Sequence, residues 1–99
     1  MKIPTPEQLT KIATWLGDHY VFNGEWIHSR DNEGWPYRLS DAELFKIIDE
    51  KLVAAGRYPQ LSTLDDGLRL YSVDTGFLRW GGSNATIAAL NALSHMLGA

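Results

Sequence analysis

His28, Ser29 and Asp31 place an imidazole, a hydroxyl and a carboxylate within one short stretch, the three groups that nucleophilic catalysis uses. Their spacing argues against that chemistry. Adjacent residues on a strand point to opposite faces, whereas a catalytic triad converges from separate elements. His19, His28 and Asp31 carry metal-ligating atoms, but their spacing fits no ligand pattern, and without any cysteine neither a thiolate site nor a disulfide can form. The carboxylate pairs Asp49-Glu50 and Asp65-Asp66 are close in sequence only. Neighbours on a helix diverge by about 100°, so the first pair reads as a solvated face and the second as a turn leading into Leu68. Gly81-Gly82-Ser83-Asn84 precedes a helix and could offer backbone N–H groups to an anion. It lacks the Lys and Ser/Thr of a phosphate loop and the glycine fingerprint of a dinucleotide fold, and reads as a connector. His95 lies near the end of the last helix, where a protonated imidazole complements the helix dipole. The chain is therefore read as non-enzymatic, with no cofactor and no metal.

One cluster remains. Trp26, Arg30, Trp35, Tyr37 and Arg38 fall in "EWIHSRDNEGWPYRLS", and aromatic residues beside arginine are the types that dominate interface hot spots. Aromatics also build cores. Trp26 and Tyr37 are expected to anchor the segment, with Trp35, Arg30 and Arg38 presented outward. Trp15 and Trp80 are further core candidates. A second possible surface is Arg69, Tyr71 and Arg79 on the outward face of a hairpin, unless helices cover both faces of that sheet. The expected partner-binding residues are thus Arg30, Trp35, Tyr37, Arg38, Arg69, Tyr71 and Arg79.

The elements that must position these residues are marked by periodicity and by capping chemistry. In "TPEQLTKIATWLGDHY" Thr5 is an N-cap, Pro6 takes the first helical position and Gln8 completes a capping box. Leu9, Ile12, Ala13, Leu16 and Tyr20 follow at helical spacing. In "SDAELFKIIDEKLVAAG" Ser40 and Glu43 form a second capping box, with Leu44, Ile48, Leu52 and Ala55 as the buried stripe, Phe45 widening it and Gly56 as a left-handed stop. A third helix runs from about Ala85 to Leu97, capped by Ser83 or Asn84, with Ile87, Leu90, Leu93 and Leu97 inward and Gly98 ending it. Its many alanines predict close packing against a sheet or another helix. Between the helices the period becomes two. "LRLYSVDTGFLRW" reads as a hairpin turning at Val73–Gly76, with Leu68 and Leu70 alternating with Arg69 and Tyr71. Asn23-Gly24 marks a tighter turn, and 30–34 reads as a loop before Trp35. The expectation is one α+β domain over residues 1–99, three helices packed with a small antiparallel sheet in the order helix, one or two strands, helix, hairpin, helix.

Composition bounds the rest. A chain of 99 residues with 44% hydrophobic and 21% charged residues is globular rather than disordered. No signal-like segment or apolar run of membrane-spanning length occurs, which predicts a soluble protein of the cytoplasm. The formal charge of −3 disfavours generic nucleic-acid binding and falls short of a DNA mimic.

The stretches "GEWIHSRDNEGWPYRLS", "DAELFKIIDEKLVAAG", "LRLYSVDTGFLRW" and "NATIAALNALSHML" resemble, in order and texture, the small phage and prophage proteins described as having an ABA-sandwich domain. The resemblance implies a phage accessory protein acting in the bacterial host cytoplasm, with no catalytic residues to carry over. Many small phage proteins bind and block host or defence complexes, anti-CRISPR proteins among them. The leading expectation is therefore an inhibitor that occupies the surface of a larger bacterial protein or nucleoprotein complex. An immunity protein that neutralises a cognate toxin, and a homodimeric structural or regulatory module, are the alternatives.

Overall fold

The computed structural model describes residues 3–74 and 79–98. Its elements run α1 (Pro6–Leu16), β1 (Tyr20–Phe22), β2 (Ile27–Arg30), β3 (Pro36–Arg38), α2 (Asp41–Ala54), β4 (Gln60–Thr63), β5 (Arg69–Ser72), β6 (Trp80–Gly82) and α3 (Ala85–Met96). The domain is α+β, with two three-stranded antiparallel sheets, β1-β2-β3 and β4-β5-β6, where one small sheet was expected.

Local chemistry starts each helix where the sequence places it. Thr5 accepts from the Gln8 N–H at 3.2 Å while the Gln8 side chain accepts from the Thr5 N–H at 2.8 Å. Ser40 and Glu43 repeat the arrangement at α2, and Asn84 caps α3 by accepting from Ile87 N–H at 2.8 Å. Leu9, Ile12, Ala13 and Leu16 are buried, but α1 stops at Leu16, so Tyr20 opens β1 instead of extending the helical face. Leu44, Ile48 and Leu52 form the buried stripe of α2; Ala55 is its exposed C-cap and Gly56, at φ +79°, supplies the left-handed exit.

α3 is the centre of the molecule. It packs on β5 and β6 and against both α1 and α2, and Thr86 through Leu90 and Ala92 through Ser94 are all buried. A helix buried over most of its surface requires partners on several sides, and its alanines let backbones approach. The tightest approach is at Gly82, where an added Cβ would overlap the backbone of Ile87 and Ala88. Polar links reinforce the helix contacts. The Thr86 hydroxyl donates to the Asp41 carbonyl at 2.6 Å, and Lys51 Nζ donates to the Leu16 carbonyl at 3.2 Å, with its ammonium 5.2 Å from the Trp15 ring centroid.

The hairpin of β5 and β6 pairs Tyr71 with Trp80 and Arg69 with Gly82, but its faces are the reverse of those expected. Tyr71 is fully buried, and Leu70 and Leu68 are half-exposed. Gly82 shares a face with Arg69 and abuts α3, so α3 covers the side that alternation had assigned to solvent. Tyr71 is accommodated there because α2 provides both an aromatic edge and an acceptor: Phe45 meets its ring edge-on at 5.6 Å, and its hydroxyl donates to Asp49 Oδ1 at 2.9 Å. Asp49 is thus half-buried and engaged rather than part of a solvated face. The expected turn Val73–Gly76 lies partly outside the described residues. On its described side, Asp74 accepts a bidentate pair from Arg57, with contacts of 2.8 to 3.2 Å.

Burial, and next the bond to Asp49, push the Tyr71 hydroxyl pKa far above its ordinary value. Because the folded pKa is raised, this contribution to stability is complete below about pH 10, the unfolded value, and falls as pH rises past it, by up to ~1.4 kcal/mol per pH unit. Urea midpoints measured from pH 8 to 11 should fall more steeply for the wild type than for Tyr71→Phe.

Candidate functional site

The aromatic-basic segment folds as the hairpin of β2 and β3, which pairs His28 with Arg38, Ser29 with Tyr37 and Arg30 with Pro36. Its connecting loop is closed from both sides. Asp31 N–H donates to the Trp35 carbonyl and Gly34 N–H to the Asp31 carbonyl, both at 3.0 Å. Asp31 Oδ1 in turn accepts from Glu33 N–H and Trp35 N–H at 2.9 Å each. Gly34 sits at φ +89°, a conformation the turn requires and other residues resist. These bonds hold the Trp35 backbone at the hairpin tip while its side chain remains 68% exposed. Asp31 therefore organises a turn, and His28 and Ser29 face opposite sides of the strand, so the three do not converge on a reacting centre.

Trp26 is the anchor. Its ring is buried, its Nε1–H donates to the Leu39 carbonyl at 3.0 Å, and the Arg38 guanidinium stands 5.3 Å from the ring centroid. Asn23 shapes the approach to it: Oδ1 accepts from both Glu25 N–H and Trp26 N–H at 3.1 Å, giving a connection over 23–26 rather than a two-residue turn. Tyr37 was the other expected anchor and is not one; it lies on the edge strand and is exposed. The reason is its position: Ser29, opposite Tyr37, is buried on the central strand, whereas all three residues of the edge strand β3 are exposed.

The structure thus brings together Arg30, Arg38 and His28 on one face of the hairpin, with Trp35 at its tip and Tyr37 on the reverse face. Among the described residues neither arginine has an ion-pair partner, the ion pairs being Lys46–Glu50 and Arg57–Asp74. The second expected surface does not assemble. Tyr71 is core, Arg69 is half-buried with its guanidinium donating to Thr63 Oγ1 at 3.0 Å, and Arg79 is exposed by itself beside β6. His28 was missed as a member of the basic face, although its two-residue spacing from Arg30 was a sufficient signal.

Other parts of the molecule offer less. Trp15 and Trp80 are half-buried at the core rim, and Trp80 stacks with His95 at a centroid distance of 4.4 Å. An open groove lined by Thr10, Lys11, Thr14, Trp15 and Leu97 has no converging polar groups, because the Thr10 and Thr14 hydroxyls already donate to helix carbonyls. Among the described residues no group of three or more His, Cys, Asp or Glu side chains is arranged to hold a metal, and no helix is long and apolar enough to cross a membrane. No protein-family model, curated protein or solved structure matches the chain.

Proposed function

We propose that this protein is a non-enzymatic binding protein that docks the β2–β3 hairpin onto a larger protein, with Trp35 as the inserted side chain. The observation that carries this reading is the pairing of a pinned backbone with a 68% exposed tryptophan ring in a hairpin whose two arginines have no ion-pair partner among the described residues. A preformed tip spares the ordering cost of binding, and Trp and Arg are the residue types that concentrate interface energy. The basic face suits an acidic patch on the partner. With the resemblance to small phage proteins, the partner class is a bacterial host or defence complex that the protein inhibits in the host cytoplasm. The basic hairpin favours this over the immunity-protein reading, which calls for an acidic contact surface against a basic toxin site.

The test is affinity capture from bacterial lysate, with wild type and a Trp35→Ala/Arg30→Ala variant side by side, read by mass spectrometry and followed by a binding titration. Arg30 is the better companion substitution, since Arg38 covers Trp26. Binding should weaken by at least about 30-fold, the effect of losing a hot spot worth ~2 kcal/mol. Stability should stay within about 0.5 kcal/mol of wild type, as for other surface substitutions. A specific complex captured equally by both baits places the contact surface elsewhere.

A further inference from the structure

Each sheet has two edges, and at three of the four an outward backbone donor or acceptor is missing or already engaged. In the β2–β3 ladder the bonds Leu39 N–H to Ile27 carbonyl and Asp31 N–H to Trp35 carbonyl fix which groups of β3 face outward: those of Pro36 and Arg38. Proline has no N–H, and the other outward residue is the charged Arg38, so this edge resists strand addition. On β1 the outward Tyr20 N–H is already bonded to the Gly17 carbonyl at 3.1 Å. On β6 the outward Gly81 carbonyl accepts from Asn91 Nδ2 at 2.9 Å.

On the fourth edge Pro59 precedes β4, but the outward residues within the strand, Leu61 and Thr63, are neither proline nor charged. The bond from Leu64 N–H to the Leu68 carbonyl, with the register Ser62–Leu70 and Leu61–Tyr71, turns the backbone groups of Leu61 and Thr63 away from β5. Among the described residues these N–H and C=O groups have no hydrogen-bond partner. No charged residue occurs between Arg57 and Asp65. Tyr58, Leu61 and Leu64, three of the exposed large apolar side chains, are concentrated on the same stretch at 65, 41 and 43% exposure.

We propose that β4 is a self-association edge, along which two copies pair antiparallel about a twofold axis and join their β4-β5-β6 sheets into one six-stranded sheet. The register follows from the outward groups. Leu61 of one copy faces Thr63 of the other, each exchanging two backbone hydrogen bonds, and Ser62 faces Ser62 on the axis. A second copy is the occupant because this pattern is self-complementary: donors and acceptors match under the twofold, and the uncharged stretch 58–64 sets no like charges opposite each other. The contact is one short strand, so association is weak and depends on concentration. It is independent of the hairpin at Trp35.

Sedimentation equilibrium over about 10 µM to 1 mM, the range that brackets weak association, tests this with the full chain. The wild-type mass should rise toward twice that of the monomer, and exchange of the Leu61 and Thr63 amides should slow with concentration. Leu61→Pro removes an outward donor without touching the β4–β5 ladder and should shift the dimerisation midpoint at least about 10-fold to higher concentration. Ser62→Lys, which sets two ammonium groups opposite each other on the axis and leaves the bond from Arg69 to Thr63 Oγ1 in place, should do the same and serves if the proline variant fails to fold. A wild type that stays monomeric at about 1 mM overturns the proposal, as do folded variants that associate like wild type. Association lost on Trp35→Ala instead would assign the dimer to the hairpin and overturn it as well.

Discussion

Trp26→Ala is expected to destabilise the protein by about 3–5 kcal/mol, the usual cost of removing a buried tryptophan ring. Set against the ~5–15 kcal/mol of an ordinary domain, that is a large share of the total. The ring fills the space under the β2–β3 hairpin, carries the Arg38 guanidinium and secures the strand exit through the Leu39 carbonyl. Trp26→Phe separates these contributions. It retains most of the apolar body and removes the Nε1–H donor, leaving a buried carbonyl without its partner, at a cost of about 1–3 kcal/mol. Urea denaturation read by circular dichroism provides both numbers. If Trp26→Ala melts like wild type, the hairpin does not depend on this anchor, and the rigid presentation of Trp35 would have to come from the Asp31 turn alone.

Gly82→Ala should be the most damaging single-methyl change in the chain, at about 3 kcal/mol, the upper end of the range for overpacking. The atoms that the new methyl meets belong to the backbone of Ile87 and Ala88, which cannot rotate aside as a side chain can. To admit it, the first turn of α3 must move off β6, straining the bond from Ala88 N–H to the Asn84 carbonyl at 3.1 Å and the Asn84 cap beside it. Ser83→Ala, at the exposed neighbouring position, should stay within about 0.5 kcal/mol. Equal melting curves for the two variants would show that α3 docks less closely than described.

The difference between these two sites also separates what is local from what is not. The aromatic-basic segment stands out in the sequence by its residue types, and Asp31 and Gly34 are turn formers whose effect acts over a few bonds. Tyr37 was misassigned as an anchor because its strand's position at the sheet edge depends on how many strands precede it. β3 and β4 were both missed as strands: "PYR" begins with proline and "QLST" carries a single large apolar residue, so neither shows the alternation that marks a half-buried strand. They pair because β2 and β5 offer edges, which is information held in the neighbours.

Local sequence was enough for the starts of α1 and α2 and the left-handed exit at Gly56, because capping is a contact between residues three or four apart and needs no other part of the fold; it left Ser83 and Asn84 both open as the cap of α3 and carried α1 past Leu16 to Tyr20. It also showed two alternating faces over residues 68–71. Only the tertiary structure decided which face is inside. Alternation is symmetric, and the choice was made by α2, 22 positions from Tyr71, which supplies Asp49 as the acceptor for the tyrosine hydroxyl, and by α3, whose small residues let Gly82 close against it. The exposure of Trp35, the burial of Trp26 and the open edge at β4 were decided in the same way. Each depends on which surfaces the neighbouring elements leave uncovered, and that is set by parts of the chain distant in sequence.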